Sequence, residues 1–283
     1  MNPILKFQQD SAKIKLVKEW LTIDRLAAIH ESFQELWNQF SGFVSSTSKI
    51  VAEILARTAK RAIAKVVAFS LPSGWSCPGA LICKSVADLA TGRITDGKDA
   101  TIRCYAASDE SLRPNVRAAR WHNFSILRRL DSESIFCELD RAFPKGVDVC
   151  RIHVGGDYFN QSYFNGWVLM ATAHPETIFY SYTKSLPYWV NCKLPIPPNL
   201  KLIASRGGRH DHLIDQYQLR EAVIVFSPEE AESLGLEIDH TEEQAIEGTT
   251  NFALLIHGTQ PKGSDASKAQ SAMRKAGTKF SYS

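Results

Sequence analysis

Three cysteines in one short region of the sequence could bind a metal. Cys77, Cys83 and Cys104 are separated by five and twenty residues, and glycine, proline and serine lie around them. Thiolates are the ligands of iron–sulfur clusters and of many structural zinc sites. The spacing lacks the close cysteine pairs typical of zinc, and no fourth ligand lies nearby. From the residues alone, an iron–sulfur cluster, a zinc site and plain thiols all stay open.

The sequence also predicts the redox environment of these thiols. The amino terminus has no long apolar run after basic residues, and no stretch approaches the ~18 apolar residues of a membrane span. We therefore expect a cytoplasmic protein with no membrane partner, where disulfides rarely persist. Of the other cysteines, the pattern predicts Cys137 and Cys150 as small buried residues and leaves Cys192 undecided.

Six short apolar runs predict the strands that would position such a site. They begin at residues 66, 147, 177, 200, 221 and 252, and few polar residues interrupt them, as in parallel strands covered on both faces. Helical or loop segments alternate with them. This order predicts an α/β fold, a partial (β/α) barrel of about six mostly parallel strands. The predicted division is a helical extension over 1–65, an α/β domain over 66–260 and a polar tail over 261–283.

Polar residues follow five of these runs, at the edge where parallel α/β proteins build binding sites. Gly155 and Gly156 would let a ligand approach the backbone, and Asp157 would accept its hydrogen bonds. Lys184 would neutralise a phosphate or carboxylate, or form an ion pair. His257 would face the site or bond to backbone. Because turn residues end any strand, the same pattern also fits ordinary loops.

The charge pattern adds a nucleic-acid hypothesis. The chain has 283 residues, 44% of them hydrophobic and 22% charged, and its net charge of +3 is too small to predict nucleic-acid binding by itself. Several arginines nevertheless share one predicted helical region with Trp121, and they could contact phosphates. These residues are Arg113, Arg117, Arg120, Arg128 and Arg129.

Taken in order, several motifs resemble the phage gene product 88 family. They are SLPSGWSCPGALIC, RCYAAS, RPNVRAARWHN, RIHVGGDYFNQSYFNGW and FYSYTKS, and they cover roughly residues 68–205. The resemblance implies a phage or mobile-element protein of the host cytoplasm. It also implies an iron–sulfur cluster, [4Fe-4S] or [3Fe-4S], with Cys77, Cys83 and Cys104 as ligands.

A second, fold-level likeness concerns the strand end at Gly155, Gly156 and Asp157. It is similar to the glycine-rich strand end of radical S-adenosylmethionine enzymes, where that segment meets the methionyl amine. S-Adenosylmethionine is thereby implied as a small-molecule ligand. The C-x3-C-x2-C signature of those enzymes is absent and no cysteine follows Cys192, so enzymatic activity stays open. The alternative function is a nucleic-acid-associated or virion protein with a purely structural cluster.

Overall fold

The computed structural model describes residues 4–9, 12–40 and 64–278, which form a mixed α/β fold. Its strands are β1 (Val66–Phe69), β2 (Ser85–Ala87), β3 (Ile94–Asp96), β4 (Val149–Ile152), β5 (Ile178–Thr183), β6 (Leu200–Ser205), β7 (Glu221–Val225), β8 (Glu237–Ile238) and β9 (Phe252–Leu255). Its helices are α1 (Ala12–Phe40), α2 (Tyr105–Leu112), α3 (Pro114–Leu127), α4 (Ser132–Ala142), α5 (Gln161–Ala173), α6 (Leu186–Val190), α7 (His212–Tyr217), α8 (Pro228–Ser233), α9 (Glu243–Ile246) and α10 (Asp265–Lys275).

Seven of the strands form one parallel sheet in the order β1-β4-β5-β6-β7-β9-β8. The six strands predicted from apolar runs are confirmed, and β8 adds a short seventh at one edge. Strands β1, β4 and β9 are buried at every position, which is why their sequences lack alternation. In the described part of the chain the sheet is open, with β1 and β8 at its edges, so the architecture is a partial barrel.

Two hydrophobic clusters cover the faces of the sheet. On one face, Phe69 and Phe179 pack around Trp167 of α5. On the other, Ile14 and Val17 of α1 join a cluster built on β1, β4, β6 and β9. Helix α1 therefore contributes to the core of the sheet, although the sequence set it apart as an extension. No helix in the described ranges is long and apolar enough to cross a membrane.

The segment between β1 and β4 differs most from expectation. The sequence analysis assigned no helix or strand to residues 73–112, but they contain the antiparallel hairpin β2–β3 and the helix α2. The predicted helical region over 114–143 is two helices, because Asp131 caps a new helix by accepting a hydrogen bond from Ser134 N. Residues 41–63 of the predicted helical extension lie outside the described residues. The predicted domain limits stay predictions.

Candidate functional site

A cavity of about 140 Å³ lies at the carboxyl edge of the parallel sheet. Its floor comes from the ends of β4, β5, β6, β7 and β9, and its opposite wall comes from residues 72–104, called the cysteine cap from here on. All eight residues predicted from the sequence as metal or ligand contacts line this one cavity: Cys77, Cys83, Cys104, Gly155, Gly156, Asp157, Lys184 and His257.

Glycines allow the cysteine cap to lie directly on the sheet edge. A Cβ at Gly79 would collide with the backbone of Lys184, and a Cβ at Gly207 would collide with the side chain of Ile82. Hydrogen bonds then join the two parts: Ile82 N donates to Gly207 O at 3.2 Å, and Arg209 N donates to Gly79 O at 2.9 Å. These contacts fix the backbone between Cys77 and Cys83.

Each cysteine of the cavity is half-buried and its thiol is free. Cys104 lies at the N-cap of α2, where the amides of Ala106 and Ala107 favour its thiolate. The amide of Gly74 does the same for Cys77. The loop is further tied by the ammonium group of Lys84, which donates to the carbonyls of Gly74 and Cys77 at 2.6 and 2.8 Å.

Burial and nearby acidic groups oppose ionisation of the Cys77 and Cys104 thiols. Burial raises the pKa of Cys77 well above its usual value, and the nearby Asp157, Cys104 and Cys83 raise it further. For Cys104, burial and then Cys83 raise the pKa to about 12, against the two α2 amides. Several thiols that repel one another as anions in one cavity form a donor set that a bound cation would stabilise as thiolates.

The cavity has three sulfur donors, but they are not arranged around the position of a single metal ion. Among the described residues, no group of three or more His, Cys, Asp or Glu side chains is arranged to hold a metal ion. In an iron–sulfur cluster each thiolate binds its own iron, so the sulfurs line a space instead of meeting at a point. Three soft sulfur donors around one cavity, two of them with amides directed at them, fit the chemistry of such a cluster.

Asp157 accepts three hydrogen bonds from the protein, and its predicted ligand contact stays a prediction. Its Oδ1 accepts from Tyr158 N at 2.7 Å and from Thr183 Oγ1 at 2.6 Å, and its Oδ2 accepts from Lys184 N at 2.9 Å. Burial raises its pKa, while these hydrogen bonds lower it. The carboxylate ties the end of β4 to the end of β5.

Lys184 has the same role one strand further along. Its ammonium group donates to Ser205 O at 2.8 Å, Ser205 Oγ at 2.8 Å and Arg206 O at 2.7 Å. These bonds use all three N–H donors of a lysine that is only 6% exposed. The side chain ties β5 to the end of β6. Its hydrogen bonds go to neutral groups of the protein, whereas the sequence suggested a phosphate or carboxylate contact or an ion pair.

Gly155 and Gly156 are required by protein packing. A Cβ at Gly155 would lie 2.8 Å from the guanidinium carbon of Arg120. Gly156 has a φ of +87°, and a Cβ there would lie 2.6 Å from both Leu71 Cβ and Ser76 Oγ. The two glycines let the cysteine cap and α3 approach the end of β4.

Sequence reasoning missed two cavity residues that lie just before the glycines. Arg151 is buried, pairs with Glu242, and lies 5.6 and 5.1 Å from the ring centroids of Tyr180 and Tyr182. His153 has a φ of 71°, and its Nε2 lies 3.0 Å from the hydroxyl of Tyr163. A charged residue inside an otherwise apolar strand was the signal for Arg151.

The predicted basic helix face is only partly exposed. Arg117 is buried and donates to the carbonyls of Leu89 and Glu110. Arg120 is 1% exposed and forms ion pairs with Glu110 and Asp109 at 2.8 and 2.9 Å. These two arginines are internal and cannot contact phosphates, which corrects that part of the nucleic-acid hypothesis.

The remaining predicted arginines lie at the surface. Arg113 pairs with Asp109 at 2.6 Å while 70% of its side chain stays exposed. Arg128 and Arg129 are exposed.

The cysteines outside the cavity follow the prediction in one case and contradict it in another. Cys150 is buried in β4, as predicted. Cys137 of α4 is exposed, because α4 turns Ile135 and Leu139 toward the core instead. Cys192 is half-buried.

Comparison with known proteins adds a family to this geometry. A family model described as "Gene product 88" matches residues 43–277. Two curated relatives, the "Gene 88 protein" of Mycobacterium phage L5 and that of Mycobacterium phage D29, are each 29% identical over 126 residues. The aligned part covers 40% of this chain and 46% and 45% of those relatives, respectively, so it spans less than half of their length. No solved structure matches.

Proposed function

The chain belongs to the gene product 88 family, and we propose that it is a phage or mobile-element protein that holds one iron–sulfur cluster. The ligands are Cys77, Cys83 and Cys104, and the cluster is [4Fe-4S] or [3Fe-4S]. We place the protein in the host cytoplasm, whose reducing conditions keep these thiols available.

The observation that carries this proposal is the convergence of the three thiols on one cavity at the sheet edge. They come from two separate parts of the cysteine cap, since Cys77 and Cys83 precede the hairpin β2–β3 and Cys104 follows it. Cys137 and Cys192 do not line the cavity. When bound, a cluster would supply one-electron transfer or a Lewis-acidic iron. The chain's own residues would hold the thiolates with backbone amides and limit the access of water.

The proposal is tested by anaerobic purification, reconstitution with iron and sulfide, and quantification of both. We expect the broad visible absorbance of an iron–sulfur protein and a cluster signal in electron paramagnetic resonance, which also identifies the cluster type. Cys77→Ser, Cys83→Ser and Cys104→Ser should each lower the iron content sharply. The matched controls Cys137→Ser and Cys192→Ser should keep it. Absence of iron after reconstitution, or zinc in its place, would overturn the proposal.

S-Adenosylmethionine is the proposed small-molecule ligand for the same cavity. It requires an iron with an open coordination position beside the three thiolates. The Gly-Gly-Asp segment gives this branch little support, because Asp157 is engaged by three protein hydrogen bonds. Calorimetry with cluster-loaded protein tests it, and an absence of binding heat removes the branch without affecting the cluster.

The alternative function, a nucleic-acid-associated protein with a structural cluster, depends on the exposed arginines. Arg128 and Arg129 are adjacent at the end of α3 and project from the protein surface. Phosphate contacts would make DNA or RNA affinity fall steeply with salt. The double variant Arg128→Ala/Arg129→Ala should then weaken binding and reduce the salt dependence. The matched control is Arg274→Ala/Lys275→Ala in the exposed last turn of α10. Equal binding by both variants would count against this function.

A further inference from the structure

The cysteine cap carries an exposed tryptophan close to the thiols in the sequence. Trp75 lies two residues before Cys77, and 57% of it is exposed to solvent. Tryptophan is highly buried on average in folded proteins. Its ring combines a large apolar face with a polar N–H group, which is why tryptophan is enriched where proteins bind partners. The exposed indole is therefore a candidate contact for a ligand outside the cavity.

Hydrogen bonds fix the loop that presents Trp75. The amide of Trp75 donates to Ser73 O at 2.8 Å, and the amide of Ser73 donates to the buried carboxylate of Glu110 at 2.8 Å. On the other side, the ammonium group of Lys84 donates to Gly74 O at 2.6 Å. The indole is thus held at a defined position on the surface, so that a ligand bound to it would order little additional structure.

A row of aromatic rings anchors Trp75 without covering it. Trp75 packs edge to face on Trp121 of α3, with ring centroids 5.6 Å apart. Trp121 packs on Phe124 at 5.9 Å, and Phe124 packs on Phe159 at 5.2 Å, in the same edge-to-face manner. The row connects the exposed indole of the cap with the helix α3 and with the core below it.

The helix beside the two tryptophans is basic. Residues 111–130 contain five arginines and no Asp or Glu. Two of these arginines are internal, and the exposed ones are Arg113, Arg128 and Arg129. Arg113 precedes α3 and the other two follow it, so positive charge lies at both ends of the helix that carries Trp121. Arg128 lies two helical turns, or about 10 Å, beyond Trp121.

We propose that this surface, formed by Trp75, Trp121 and the three exposed arginines, binds a single strand of nucleic acid. A base stacks on the indole of Trp75, and the arginines contact the phosphates of neighbouring nucleotides. Bases of a duplex already stack on one another, so the exposed indole favours an unpaired strand. The inference rests on the nucleic-acid function given above as the alternative, and it adds the form of the ligand and the residue that stacks on it.

The test is fluorescence polarisation of the full chain with a labelled oligothymidine of about 12 nucleotides and with a duplex of the same length. The unmodified protein should bind the single strand more tightly than the duplex. Trp75→Ala should weaken binding of the single strand about tenfold, and Trp75→Phe should keep most of it, because a smaller aromatic ring still stacks. The matched control Tyr217→Ala removes an aromatic side chain that is 50% exposed on α7, and it should bind normally.

The outcomes separate the inference from the functions on which it depends. Equal affinity of Trp75→Ala and the unmodified chain, or tighter binding of the duplex, overturns the inference. If Arg128→Ala/Arg129→Ala is still weakened in that case, the nucleic-acid function survives. An absence of binding to both probes overturns both and leaves the cluster proposal untouched, since iron content is measured separately.

Sedimentation velocity tests a different occupant of the same surface. A dimer of the unmodified chain that dissociates in Trp75→Ala would mean that a second copy of the chain covers the indole, which overturns the inference. An unchanged sedimentation coefficient, together with the loss of affinity for the single strand, supports it. Circular dichroism of Trp75→Ala should match that of the unmodified chain, because the substituted side chain is mostly exposed.

Discussion

The two walls of the cavity differ in how their functional groups are bonded. At the sheet edge, Asp157 and Lys184 line the cavity, but every strong hydrogen bond they make goes to the protein. On the cysteine cap, burial and then neighbouring acidic groups raise the pKa values of the Cys77 and Cys104 thiols. The first wall is held together by its own hydrogen bonds, whereas the proposed cluster would relieve the repulsion between the thiols of the second wall.

This difference teaches how to interpret charged residues in a cavity. A buried charge whose donors and acceptors are all used holds strands together, even when it lies at the carboxyl edge of a parallel sheet. Binding chemistry lies where the protein leaves donors without such partners. The predictions that follow compare the stability of the two walls in metal-free, reduced protein.

The largest loss of stability is expected for Lys184→Met. The substitution leaves the carbonyls of Ser205 and Arg206 buried without their donor, so the free energy of unfolding should fall by about 3–5 kcal/mol. Urea denaturation measures it. The exposed control Lys193→Met should change stability by less than about 0.5 kcal/mol. Equal stability of the two variants would contradict the structural role of Lys184.

Gly156→Ala should have the next largest effect and should lower the free energy of unfolding by about 2–4 kcal/mol. The new Cβ meets Leu71 and Ser76 in addition to the cost of a positive φ. Gly146→Ala is the matched control, because Gly146 also has a positive φ of +65° but has nothing within 4 Å of the new Cβ. The difference between the two variants in thermal or urea denaturation measures the contact between cap and sheet edge. A difference near zero would mean that this contact is loose.

His153 should make the stability depend on pH. Burial, and then Arg151, lower its pKa from 6.5 to about 3 in the folded protein. The unfolded chain therefore binds more protons between these values, and stability is complete above pH 6.5 and decreases as the pH falls toward 3. The slope is about 1.4 kcal/mol per pH unit, or roughly 2 kcal/mol between pH 6.5 and pH 5. Urea titrations across this range should show a smaller slope for His153→Gln and an unchanged slope for the exposed control His212→Gln.

The smallest effect is expected for Cys77→Ala. The half-buried thiol makes little contribution to the metal-free fold, so the free energy of unfolding should change by about 1 kcal/mol or less. The same variant should nevertheless lose iron after reconstitution. If its stability fell as much as that of Lys184→Met, the two walls would contribute equally to the stability of the metal-free fold, which would contradict the comparison.

The strands could be predicted from the sequence, whereas the hydrogen bonds and ion pairs of the side chains could not. Runs such as Leu200–Ser205 are mostly apolar over a strand's length, and this run located β6 at its full extent. The hairpin β2–β3 was missed because its strands have three residues each and polar residues within them. Helix α2 was missed because its N-cap residue, Cys104, makes no side-chain capping bond and its first turn has no acidic residue.

The candidate site was predictable in its location, because strand ends of a parallel sheet meet at one edge. What each residue does there depends on long-range contacts that no local pattern records. Lys184 reaches Ser205 and Arg206 on the next strand, and Gln260 reaches Arg103 across 157 positions in the chain. The helical pattern that placed Arg120 on a basic face likewise could not show its partner Glu110.

The chain order of the two walls has a consequence for biogenesis. β1 pairs with β4, yet the whole cysteine cap lies between them in the chain. During synthesis, all three thiols therefore leave the ribosome before Val149, the first residue of β4, has been made. For that interval the cap has no sheet edge to lie on, and its sulfurs are open both to oxidants and to iron donors. If the proposed cluster is inserted during synthesis, the order of translation would give its delivery the easiest access before the fold closes.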